Sequence, residues 1–113
     1  PIPAPPRWTL CLLDYTITDA SPDRARDERA RAEHHVGSAR NRLRAESFGF
    51  ATYPVSWKDA DGREHVGLFH GEWDSSRHPE ILARQEKMRA LEPFDAGRKP
   101  FKDARIVKRP GGS

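Results

Sequence analysis

The chain has a single cysteine, a single methionine and no long apolar run. With Cys11 alone, neither an intrachain disulfide nor a thiolate metal cluster can form, so a reducing, cytoplasmic setting is the expected one. The longest apolar run, Leu10 to Leu13, is far short of the ~20 residues a membrane-spanning helix needs. The start also lacks the basic end and long apolar stretch of a signal peptide, so a soluble protein with no membrane partner is expected. Charge of one sign is missing too, because 20 Lys and Arg are interspersed with 17 Asp and Glu for a net +3. The pI near 9.4 therefore permits nucleic acid binding without implying it.

What is present suits one modest domain of 113 residues. Apolar residues make up 35% against 33% charged, with a mean hydropathy of -0.88. That is polar for a chain that must bury a core alone, and self-association is expected to add burial. Three Trp, five Phe and two Tyr supply bulk. The proline-rich start predicts an extended leader over 1–7, a single domain over 8–109, and a flexible tail over 110–113.

Periodicity then divides the domain. A first strand is expected over Trp8–Ile17, with Trp8, Leu10 and Leu12 alternating against Cys11, Leu13, Tyr15 and Ile17. Both faces of such a strand are apolar, which predicts a sheet covered on both sides. Asp14 falls among these positions and needs a charge partner or a raised pKa, unless the strand frays there into solvent. Ser21-Pro22-Asp23 announces a helix whose buried stripe is Ala25, Ala32, Val36, Ala39 and Leu43, with Gly37 as a point where it could bend. Two strands follow, Phe48–Trp57 and Glu64–Trp73, joined by a turn at Asp61-Gly62. In the second of these, His65, Gly67, Phe69, Gly71 and Trp73 alternate against Val66, Leu68 and His70. Aromatics interleaved with glycines suit a flat apolar ligand, although glycines also mark close backbone approach. Asp74-Ser75-Ser76 and Pro79 start a second helix with Ile81, Leu82, Met88 and Leu91 as its stripe. A last, weakly alternating edge strand is expected over Phe101–Lys108.

The resulting order, βαββαβ, predicts an α+β, ferredoxin-like subunit with both helices on one face of a four-stranded sheet. What covers the other face then decides function. The segment from Gly49-Phe50 through Asp61-Gly62 to Trp73 and the helix after it resembles the antibiotic-biosynthesis monooxygenases and their polyketide-cyclase relatives. The resemblance implies a dimeric α/β barrel in which two sheets pack face to face and roof a cavity in each subunit. It also implies oxidation of an aromatic polyketide by dioxygen without metal or flavin. Quinone-forming members use an Asn four residues before the Trp matched by Trp73, where this chain has Phe69, so His70 or His65 would have to steer the oxyanion. Cyclase relatives carry the His-Pro matched by His78-Pro79, but a second His of theirs falls at Ile81.

The resemblance and strand alternation together predict His70 as base or oxyanion donor, with Tyr53 or His35 as a second polar contact. Trp73, Phe69, Trp57, His65, Phe50 and His78 are the expected substrate contacts. His65 and His70 are predicted on opposite faces, so only one can line the cavity. A metal is not expected, since no two of His34, His35, His65, His70 and His78 have the i, i+4 spacing that places imidazoles together on a helix. No other cofactor is expected. The expected partners are an aromatic or polyketide-like substrate and a second copy of the chain. Two other resemblances point elsewhere. Glu46–Tyr53 is similar to the aromatic octapeptide of RNA-recognition motifs, though it opens the second strand rather than the third. His34 or His35 with Asp95 resembles the YCII type of small barrel.

Overall fold

The computed structural model describes residues 7–18, 20–45, 51–92 and 97–110. The leader over Pro1–Pro6, the tail from Gly111, and the expectations on Phe48, Gly49, Phe50 and Asp95 lie outside the described residues. Six elements follow one another: β1 (Trp8–Thr16), α1 (Pro22–Ala45), β2 (Thr52–Lys58), β3 (Glu64–Trp73), α2 (Pro79–Ala90) and β4 (Arg105–Lys108). The strands form one four-stranded sheet in the order β2-β3-β1-β4, with every neighbouring pair antiparallel. This α+β arrangement is compatible with a ferredoxin-like fold.

Local chemistry accounts for the boundaries. The Ser21 carbonyl accepts the Ala25 amide at 2.8 Å, and Pro22 and Asp23 suit the first turn of α1. Ala32, Val36, Ala39 and Leu43 are buried as their spacing predicts, and α1 continues through Gly37. At the β2–β3 turn, Asp59 Oδ1 accepts the Asp61 and Arg63 amides at 2.9 and 3.0 Å, which closes the hairpin. In α2 the cap is His78, whose Nδ1 accepts the Glu80 amide at 3.1 Å. Ile81 and Met88 are buried, whereas Leu82 is 48% exposed, alone in this among the large hydrophobics described. The final strand is shorter than expected because Phe101 and Ala104, both fully buried, enter the core from the turn before it.

The main core lies between the helices and one face of the sheet. Leu10, Leu12, Val66 and Leu68 meet Val36, Ala39 and Leu43 of α1 and Ile81 and Met88 of α2. Each such burial of a Leu, Val, Ile or Met contributes roughly 1.5–3 kcal/mol before entropy is counted.

Two register shifts in the β1–β3 ladder correct the expected alternation. One extra residue on β1 separates Cys11, paired with Phe69, from Leu13, paired with Leu68. One extra residue on β3 separates Trp73, opposite Trp8, from His70, opposite Leu10, and Gly71 there has a φ of 72°. A bulge shifts every side chain beyond it to the other face. Cys11 is therefore not on the face of Leu13: Leu12 joins the helix-side core, whereas buried Cys11 and Phe69 lie outside it. Trp73 likewise moves to the helix side, away from His65. The doubly apolar look of β1 comes largely from these bulges. Its open-face positions by pairing are Thr9, Cys11, Asp14 and Thr16.

Candidate functional site

The face opposite the helices holds a cleft of about 280 Å³, lined by residues of the strands and their flanking turns and none from either helix. Its floor is an aromatic row. Phe69 stacks on Tyr53 with ring centroids 5.9 Å apart and meets Trp57 edge-on at 5.4 Å. Trp57 in turn stacks nearly parallel on His65 at 4.9 Å. Gly67 makes this possible, since a Cβ there would stand 2.7 Å from the Leu13 carbonyl oxygen and 3.0 Å from both the Phe69 and Trp57 rings. The glycine gaps thus do not hold a ligand: the chain's own rings fill them, and at Gly71 it is the Trp73 indole that would collide.

One wall of the cleft is charged. His65 Nδ1 lies 2.8 Å from Asp14 Oδ1, and its Nε2 lies 2.7 Å from Asp59 Oδ2. Two carboxylate acceptors require both ring nitrogens to donate, so the geometry is that of an imidazolium. Burial works against this charge, but the hydrogen bonds to Asp59 and Asp14 outweigh it and raise the His65 pKa. The same bond to His65 holds the Asp59 carboxyl below its ordinary range, against the effect of burial and with help from the Arg63 and Asp61 amides. Asp14 Oδ2 accepts from Arg105 Nη2 at 2.8 Å, so this carboxylate has two cationic partners from β3 and β4. Cys11 also lines the cleft, and burial pushes its thiol to about 11, which keeps it protonated and a poor nucleophile near neutral pH.

Tyr53 closes the far end of the row. Its hydroxyl lies 2.9 Å from Thr9 Oγ1, and Thr9, fully buried, donates onward to the His70 carbonyl at 3.1 Å. Burial raises the Tyr53 pKa, so it is a neutral donor. The Arg109 guanidinium sits 5.2 Å above its ring and pairs with Glu72.

Of the residues expected at the site, Phe69, Trp57 and His65 come together, with Tyr53 at one end. The others do not. His70 is buried on the helix side, where its Nδ1 lies 2.6 Å from the Ala51 carbonyl and Arg84 Nη1 lies 3.0 Å from its Nε2. Nδ1 must then carry the proton and Nε2 must accept, which is the neutral form. Burial, the largest influence, lowers its pKa, and nearby Arg84 adds to this. The Trp73 ring packs edge-on to His70 at 5.9 Å and donates to Glu80 at 3.2 Å, so it cannot frame a ring with Phe69. His78 is spent as the α2 cap. His35 is exposed on α1, its ring 5.9 Å from Tyr15, at the rim of two helix-side clefts of about 210 and 360 Å³. Phe50 lies outside the described residues.

Sequence reasoning missed Asp59 and Arg105 as site residues. Asp59 is legible only as a turn residue, and Arg105 looks like an edge-strand charge. Among the described residues, no three His, Cys, Asp or Glu side chains are grouped so as to hold a metal ion, and no helix is long and apolar enough to cross a membrane. No family model, curated protein or solved structure matches the chain.

Proposed function

We propose that the chain is a cofactor-independent tailoring enzyme, monooxygenase-like, acting on an aromatic or polyketide-like small molecule in the open-face cleft of a homodimeric barrel. The observation that carries this is the juxtaposition of an aromatic row, Phe69 and Trp57, with a charged wall in which Asp14 and Asp59 fix the cations His65 and Arg105. A polycyclic phenol packs against the half-buried Trp57 ring and directs its oxygen at Arg105, where a phenolate or enolate gains from a guanidinium already oriented by Asp14 and from the charge of His65 nearby. Lowering the cost of that oxyanion favours loss of a proton from the ring carbon to water in the cleft, and the proton returns to the peroxide oxygen that leaves as water. The carbanion then reacts with dioxygen, a ring CH₂ plus O₂ giving C=O plus water. A second copy packed on the same face would exclude bulk water from this step.

A second reading has a specific observation in its favour. Arg105, held by Asp14 through Nη2 and 56% exposed, has further N–H groups to polarise a carbonyl oxygen, which is what an aldol-type cyclisation needs. RNA binding has less support: Tyr53 and Trp57 are half-buried, Phe69 is buried, and Asp14, Asp59 and Glu72 stand among the cations of this face.

The test is an oxygen-electrode assay with an anthrone-type phenol, run beside quenching of Trp fluorescence by the same compound and light scattering on the free protein. Saturable quenching with oxygen uptake from a dimer supports the monooxygenase reading. Quenching without uptake moves the chemistry to cyclisation. A monomer that gives neither signal overturns the proposal.

A further inference from the structure

On the other side of the sheet, between α1 and the edge strand β2, lies a groove of about 270 Å³ with no part in the chemistry above. Its walls are Val36, Gly37 and Arg40 of α1 and Pro54 and Ser56 of β2, with Val66 of β3 behind them. Three independent features converge on it. Arg40 Nε is buried and without a hydrogen-bond partner, the one such side-chain nitrogen or oxygen among the described residues. A buried donor left unpaired is costly, so a shift of the guanidinium toward an acceptor brought to the groove is favoured. Gly37 lies mid-helix, where glycine weakens the helix, yet no packing demands it: a Cβ there would meet nothing within 4 Å. The space that glycine leaves opens into the groove. The lining is otherwise largely apolar, and Pro54 cannot offer an amide, so an added peptide strand on β2 would lose a ladder bond there.

We infer that this groove binds a small apolar monocarboxylate, its carboxylate accepting from the Arg40 guanidinium and its hydrocarbon body lying over Gly37 against Val36, Pro54 and Val66. Glu33, also at the groove, is two helical turns from Arg40, so a second anionic end on the ligand is repelled. The volume lies just under the range of drug-sized pockets, which limits the ligand to a short acyl or single-ring acid. This site is separate from the open-face cleft and does not depend on its chemistry.

The experiment is a proton–nitrogen NMR titration of the full chain with hexanoate, following the Arg40 Nε–H and Gly37 amide signals, with 1-hexanol and adipate as controls. Saturable shifts of both signals with hexanoate, at a Kd of about 1 mM, and weaker or absent shifts with the controls are expected. Gly37→Leu should abolish the shift of Arg40 while raising the melting temperature, and Arg40→Gln should abolish that of Gly37. If Arg40→Gln fails to fold, Gly37→Leu alone decides. An Arg40 Nε–H that shows only a long-lived water and no response to about 10 mM hexanoate overturns the inference, as does equal binding of 1-hexanol.

Discussion

His65 and His70 stand five residues apart on β3, on opposite faces of one sheet, and they have opposite chemistries. His65, on the open face, bonds two carboxylates through both nitrogens and is held charged. His70, on the helix face, bonds a carbonyl and an arginine and is held neutral. The same side chain thus serves an electrostatic site on one face and a closed packing arrangement on the other. The faces differ in the same way throughout. The helix side has a continuous apolar core around a neutral histidine, whereas the open side has a row of rings and a network of charges around a cleft.

The largest expected effect separates the two histidines by function. His65→Gln should lower turnover of an accepted phenol by about 10²–10⁴-fold, whereas His70→Gln should leave kcat within a few-fold and reduce stability by about 1–3 kcal/mol. Steady-state rates beside urea melts measure both, and a reversed outcome would break the assignment of faces. Next is Phe101→Ala, which removes a fully buried ring from the helix-side core and should cost about 3–5 kcal/mol in the same melts. A loss below about 1 kcal/mol would mean that the core does not depend on this turn.

Gly67→Ala sharpens the account of the open face. With the Leu13 carbonyl and two rings around the new methyl, a loss of about 1–3 kcal/mol and weaker phenol binding are expected. A neutral result would mean that the rings do not pack over this strand as described.

The smallest effects are in pH dependence, where the two histidines have opposite signs. His65 has a raised folded pKa, so its contribution to stability is fully present below the unfolded value near 6.5 and is lost as pH rises through the folded value. His70 has a lowered folded pKa, so its contribution is present above about 6.5 and is lost as pH falls through the folded value. Histidine ring-proton NMR should show one titration on each side of 6.5, with His65 the higher. Both on the same side would contradict the pairing.

Part of this contrast could be read along the chain. Alternation from Glu64 to Trp73 located β3 at its observed bounds, and it placed His65 and His70 on opposite faces, because the bulge between them adds its residue to β1 and not to β3. Ser21-Pro22 and Asp61-Gly62 marked the α1 start and the hairpin, since cap and turn chemistry act over a few residues. Beyond Gly71 the same alternation misled. It put Trp73 beside His65, because a bulge is a property of two paired strands and leaves little trace in one of them. Asp14 was legible as a carboxylate in need of a partner, but its partners were not.

By itself the sequence determined the element order, the apolar stripe of α1, the turn residues and the aromatic supply of β2 and β3, while in α2 it misplaced Leu82, which is exposed. These are short-range properties of backbone geometry and side-chain period. Tertiary structure alone decided that Leu13, Tyr15 and Ile17 part from Cys11 and join the helix-side core, that Trp73 closes over His70, and that the charged site assembles at all. Asp14 meets His65 across 51 residues and Arg105 across 91. Only strand register brings such distant positions within hydrogen-bonding distance, and register is set by the whole sheet.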